Sequence, residues 1–141
     1  MKQTALTRER VLNAEPGTEL NIMVAEHIFK WRRIQGPAHD YDGAVEHGEV
    51  LIPPDMSDAH AYAMMPPRGS VELSYFINRN WSEDIYRAWM VIKQVEKEWA
   101  WEMKMHNTAC EVDVRIGRKD YSSENVSEAI CKAALLAVLD L

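Results

Sequence analysis

Apolar positions recur along this chain with two periods, and each period predicts a kind of element. Leu20, Met23, Val24, His27, Ile28 and Trp31 fall three and four residues apart, the spacing of one helix face. This predicts a helix over 19–32, with Thr18 as N-cap and Glu19 in the first turn, where negative charge suits the helix dipole. His27 then sits among apolar neighbours as a half-core residue. A shorter helix over 7–14 precedes it, stopped by Pro16 and Gly17. Ile85, Ala88, Trp89, Ile92, Val95 and Trp99 make a second helical face over 83–99, with Ser82 as N-cap candidate and acidic Glu83 and Asp84 in the first turn. In the last segment, over 124–139, Val126, Ala129, Ile130, Ala133, Leu135, Leu136 and Val138 leave almost no polar face. Such a helix is buried on all sides, and Ser122 or Ser123 is placed to cap it. Lys132 alone interrupts the run. At 129–139 the segment is also well short of the about 20 apolar residues that a membrane span needs.

The other period is two. Trp101, Met103 and Met105 alternate with Glu102, Lys104 and His106; after Asn107-Thr108, Cys110, Val112, Val114 and Ile116 alternate with Glu111, Asp113 and Arg115. Two such runs joined by a short turn predict an antiparallel hairpin with one buried and one wet face. Cys110 falls on the face predicted to be buried. Residues 70–76, with Val71, Leu73 and Tyr75 against Glu72 and Ser74, predict a half-buried strand, followed by a turn at 78–81. Between 36 and 69 the chain is broken by Gly and Pro. A hairpin turning at Asp42-Gly43 or His47-Gly48 is expected there, with a short strand at 50–52 ended by Pro53 and a loop or helical turn at 55–67. Residues 117–125 read as a polar loop.

Length and composition fit one domain over 1–141 with a sizeable core: 141 residues, 47% apolar, five tryptophans. The net charge of −6 and pI near 5.3 argue against nucleic acid as a partner, because phosphate binding needs clustered cations. The densest basic cluster, Lys30 to Arg33, reads as a helix C-terminus. The first residues carry no apolar stretch of signal-peptide length. Cys110 and Cys131 stand far apart without a CxxC motif, as expected for two buried, reduced thiols in a cytoplasmic chain.

Few residues suggest chemistry. Asp40, Asp42, Gly43 and Glu49 occupy the third, fifth, sixth and twelfth positions of a calcium loop, but Ala38 stands first and cannot ligate, and prolines break both flanking helices. His39, His47 and His60 lack metal-site spacing, so no metal is expected. There is no GxSxG, P-loop or GxGxxG, and no cofactor is implied. Arg79, Asn80 and Trp81 precede a predicted helix N-terminus, where free N–H groups, a guanidinium and an aromatic plane could hold an anionic or nucleotide-like ligand. The alternative is a capped helix with Trp81 stapled onto Ile85 or Tyr86.

Three stretches together resemble a known family. PGTELNIMVAEHIFKW (16–31), SEDIYRAWMVIKQV (82–95) and EAICKAALLAVL (128–139) are similar, in this order, to the phage ABA sandwich domain. Glu83 stands where that pattern has Thr and Lys132 where Arg is common; 36–69 has no firm counterpart. The resemblance implies an α+β fold, a layered α/β/α sandwich with helices on both faces of a small antiparallel sheet. It also implies a phage or prophage origin and action inside a host bacterial cell. It carries over no catalytic residue. The amphipathic helices and the hairpin agree with that architecture. The functional expectation is a non-enzymatic phage accessory protein that binds a host or phage protein, or sequesters a small ligand, with self-association as an option and no membrane partner. The alternatives are an enzyme or metal-binding protein with His39, Asp40, Asp42, His47 and Glu49 gathered in one pocket, and a virion component.

Overall fold

The structure, a computed structural model, describes residues 6–36, 48–66, 71–105 and 110–141. Helix α1 (Arg8–Asn13) is capped by the Thr7 hydroxyl, and α2 (Thr18–His27) begins at Thr18 itself. The N-cap of α2 is Gly17, at a φ of 111° that side chains rarely adopt, so Thr18 is not the cap.

The helix also ends earlier than its apolar spacing predicts. Past His27, Phe29 and Trp31 still donate to the carbonyls of Val24 and Ala25, but Lys30 turns left-handed at φ 61° and the chain leaves the helix axis. The basic cluster is therefore no helix terminus: Arg32 and Arg33 open strand β1 (Arg32–Gln35). Arg33 forks onto Glu26 and approaches Glu49 at 3.7 Å. That carboxylate pairing supplies the competing interaction, and it holds the guanidinium above its ordinary pKa, first through the hydrogen bond to Glu26.

Strand β2 (Glu49–Ile52) pairs antiparallel with β1, Ile34 opposite Val50, so the expected strand at 50–52 is present. Its partner is β1; the turns expected at 42–43 and 47–48 involve residues outside those described. Helix α3 (Asp58–Met64), capped by Ser57, follows. Residues 71–76 form no strand. Tyr75 and Ile77 close turns onto Glu72 and Ser74, and the described contact with a sheet is Leu51 N–H to the Leu73 carbonyl at 3.0 Å. Leu73 packs on the main core and Val71 and Phe76 on the smaller cluster, while Tyr75 is exposed, so the alternation marks no single buried face.

Helix α4 (Ile85–Val95) is capped by Asp84, which accepts from Tyr86 N–H, and not by Ser82, which is fully buried. The predicted hairpin is present as β3 (Trp101–Met105) and β4 (Val112–Ile116), Met103 opposite Val114. Its turn at 107–108 lies outside the described residues. Cys110 is not on the buried face: it precedes the strand at φ 51° and is exposed. The segment read as a polar loop contains a third strand, β5 (Lys119–Ser123), joined to β4 through Gly117-Arg118. Gly117 has φ 60°, and a Cβ there would meet Trp99 Cδ1 at 2.7 Å.

Helix α5 (Val126–Val138) is capped by Asn125, although Ser123 assists by accepting from Asn125 N–H and bonding Glu128. Residues 129–137 are all buried, so the apolar run is the core helix expected. It packs on α4 and on the apolar face of β4 and β5, with α1 and α2 also against it. Each large apolar side chain buried there contributes about 1.5–3 kcal/mol. Lys132 enters this core with its ammonium satisfied by the Leu12 carbonyl (2.8 Å), Glu128 (3.0 Å) and the Tyr121 hydroxyl (3.4 Å). The result is an α+β sandwich of helices and two small antiparallel sheets, of two and three strands.

Candidate binding groove

Past the end of α2, Phe29 and Trp31 leave the helix on the side of the segment that enters α4. Trp81 stacks on Phe29 (centroids 5.1 Å, planes at 22°) and meets Trp31 edge-on at 6.1 Å. These three rings form one wall of a groove of about 520 Å³. Pro53 and Pro54 after β2, Met56 and Met64 flanking and ending α3, Phe76, and Met90 on α4 supply the other apolar walls. Polar groups are few: Asp55, Asn78 and Arg79. The volume lies within the about 300–1,000 Å³ of small-molecule sites, and a mostly apolar lining with sparse polar groups is their usual composition.

Two of these residues have unfilled hydrogen-bonding or charge capacity. The indole N–H of Trp81 is buried with no hydrogen-bond partner among the described residues, and groups of that kind are rare. Arg79 is exposed. Its guanidinium touches Met90 Sδ at 3.6 Å and has no carboxylate partner among the described residues.

Of the residues singled out in the sequence, Arg79 and Trp81 thus line one groove. Asn80 turns away: it accepts from Asn21 Nδ2 at 3.0 Å and donates to Glu83 at 3.0 Å. The Asp84 carboxylate caps the N-terminus of helix α4 by accepting from Tyr86 N–H. Trp81 does not staple α4, since Ile85 and Tyr86 remain exposed while Trp81 packs on Phe29 and Trp31. The aromatics that join it, Phe29 and Trp31, were read in sequence as parts of a helix; the break at Lys30 that releases them has no strong sequence signal.

The other candidates separate from the groove. His39, Asp40, Asp42 and His47 lie outside the described residues. Glu49 pairs with Arg33, and His60 is exposed on α3. Among the described residues no group of three or more His, Cys, Asp or Glu is arranged to hold a metal ion. Ser82 is buried with no base on its hydroxyl among the described residues: it accepts from Gly17 N–H (2.7 Å) and donates to the amide oxygen Asn21 Oδ1 (2.9 Å), which cannot take its proton. Burial, reinforced by nearby Glu128, pushes the Cys131 thiol well above its usual pKa, so it is inert as a nucleophile.

A smaller cavity of about 220 Å³ lies beside α2, lined by Arg10, Glu19, Glu26, His27 and Arg33 over an apolar floor. Its histidine is held below 6.5, chiefly by burial against the opposing pull of Glu26.

The three stretches that carry the family resemblance meet beside the groove. Asn21 Oδ1 accepts from Ser82 N–H (3.0 Å), Asn125 Nδ2 reaches the Ser82 carbonyl (3.4 Å), and the Cys131 thiol donates to the Trp81 carbonyl (3.4 Å). Motif residues Gly17, Asn21, Ser82 and Cys131 thus fix the backbone that carries Trp81. Their role is to build the wall, and chemistry is not required of them.

The fold is similar to a crystal structure of a phage protein from Bacillus cereus ATCC 14579: TM-score 0.50, 18% identity, covering 100% of this chain and 94% of that one. No curated protein matches the chain. Among the described residues no helix is long and apolar enough to cross a membrane. The family model of the phage ABA sandwich domain matches residues 22–135, and the chain belongs to that family.

Proposed function

We propose that this phage-family protein is a non-enzymatic binding module, one domain over its length, acting inside the host bacterial cell. The proposed ligand is a flat aromatic molecule carrying an anionic group. The carrying observation is that Phe29, Trp31, Trp81 and Arg79 line one groove, with a guanidinium and an indole N–H that lack carboxylate and acceptor partners among the described residues. Aromatic walls favour a planar apolar body by stacking, each ring contact contributing about 0.5–1.5 kcal/mol beyond area burial. Arg79 favours a carboxylate, sulfonate or phosphate at the groove's edge. The indole N–H donates to an acceptor on the ligand after a small shift of the ring. Sequestration needs no further group.

The test is titration with aromatic sulfonates, aromatic carboxylates and mononucleotides, read by intrinsic tryptophan fluorescence and calorimetry. Saturable binding that quenches tryptophan is expected, weakened at least about tenfold by Arg79→Ala and lost in Trp31→Ala. Absence of saturable binding across the panel, or binding that neither substitution alters, overturns the reading.

A further inference from the structure

The three-stranded sheet ends at β3. Among the described residues Trp101–Met105 pairs only with β4, so its other edge carries unpaired backbone groups. An edge of this kind is a template for a further strand. Which residues face outward follows from one bond: Gly117 N–H donates to the Ala100 carbonyl at 2.8 Å. In an antiparallel ladder the N–H and C=O of one residue point to the same side, and alternate residues alternate sides. Glu102 and Lys104 therefore bond toward β4, while Trp101, Met103 and Met105 offer N–H and C=O to the open edge.

We propose that this edge is a two-fold interface at which β3 of a second copy of the chain pairs antiparallel, centred on Met103. With that centre the outward groups match. Met103 bonds its own counterpart and Trp101 bonds Met105 of the other copy. Glu102 then stands directly opposite Lys104 of the other copy, and Lys104 opposite Glu102, in the non-hydrogen-bonded positions where side chains approach most closely. The strand is its own electrostatic complement, as an isologous contact requires. A shift of the centre by one residue in either direction would place Glu102 against Glu102 or Lys104 against Lys104, so charge selects the register.

The apolar face gives an independent reason. Met105 lies on the same face as buried Val112, yet it is 77% exposed. At the other end of β3, Trp101 is met edge-on by Trp89 of α4 at 5.3 Å, and Trp89 is itself 40% exposed. The two-fold axis carries each Met105 to Trp101 of the other copy, beside the partly uncovered Trp89. A thioether against aromatic rings is a favourable contact, and the side chain left bare in one copy is covered in the pair.

The experiment measures mass against concentration by sedimentation, with charge reversal at the strand. Glu102→Lys alone and Lys104→Glu alone each convert both symmetry-related pairs to like charges. The combined variant restores opposite charges in swapped order. Their within-chain neighbours, Arg115 and Asp113, are on the wet face, and the Arg115–Glu102 pair is exposed at 3.8 Å, so the fold tolerates the changes; thermal melts of each variant check this. The expected result is a wild-type dimer, weakened at least about tenfold by either single change and returned to within about threefold by the combination. A monomer at every concentration up to the millimolar range overturns the proposal. A dimer indifferent to the single changes, or one not rescued by the combination, overturns it equally.

Discussion

Lys132 offers the sharpest test of how the core is held. Its side chain is 3% exposed, and its ammonium joins three elements: the Leu12 carbonyl at the end of α1, Glu128 one turn back on α5, and the Tyr121 hydroxyl on β5. Lys132→Met keeps the volume and removes the charge. Removing one partner of a buried ion pair costs about 3–5 kcal/mol, because the other charge is left uncompensated. Here Glu128 keeps the Ser123 hydroxyl at 2.5 Å and is 15% exposed. The ionic part therefore belongs at the low end of that range. The orphaned Leu12 carbonyl adds about 1 kcal/mol. The expected total is about 4 kcal/mol, a large share of the about 5–15 kcal/mol that holds a typical domain together. Urea unfolding followed by far-ultraviolet dichroism gives the figure, and α1 should become the first site of limited proteolysis. Adding Glu128→Gln should recover at least about 1 kcal/mol, since no charge then remains unpaired. A loss below about 1 kcal/mol from Lys132→Met, or a double variant as unstable as the sum of the singles, refutes the reasoning.

The thiols should separate cleanly: with an aromatic disulfide reagent, exposed Cys110 reacts in the native protein, and buried Cys131 reacts only at the rate of unfolding. Equal native rates would contradict the burial of Cys131 beneath Trp81. His27 should make stability depend on pH. Burial lowers its folded pKa below 6.5, so the unfolded chain binds its proton first as pH falls. Its contribution is complete above about pH 6.5 and is lost progressively as pH drops from there to the folded pKa. His27→Gln should flatten that fall in urea midpoints between about pH 7 and pH 5; an unchanged slope would contradict it.

Where one force dominated, the sequence was legible. The all-round apolar pattern of α5 could be satisfied only by burial, and the alternation of β3 and β4 only by a half-wet hairpin. Legibility failed where two forces competed over the same residues. From Ile28 to Trp31 the helical spacing continues, but Glu26 and Glu49 draw Arg33 away and the neighbouring chain adds β2, so the segment becomes a loop and a strand. Strand β5 was hidden because Lys119, Asp120 and Ser122 give it no apolar alternation; its place is set by β4 alongside and by the Gly117 turn. Residues 71–76 show the converse, a period of two without a ladder: Val71 and Leu73 pack on different clusters and Tyr75 is exposed.

The same contrast separates the parts of the candidate site. Trp81 and Arg79 could be singled out because an aromatic and a cation beside a helix start are conspicuous in sequence. Their setting could not, since it depends on contacts made by residues far away in the chain. The Ser82 and Asn21 bonds fix the wall from behind, Phe29 reaches it after a helix break, and Pro53, Pro54 and Met64 close the opposite side. This division has a consequence for mutation. Substituting Asn21 or Ser82 should lower stability and binding together, because each acts through the backbone position of Trp81. Substituting Arg79, exposed and held among the described residues by the Met90 sulfur, should lower binding and leave stability unchanged. On the proposed reading, ligand preference can change at exposed Arg79 while the buried Asn21–Ser82 frame behind Trp81 stays intact.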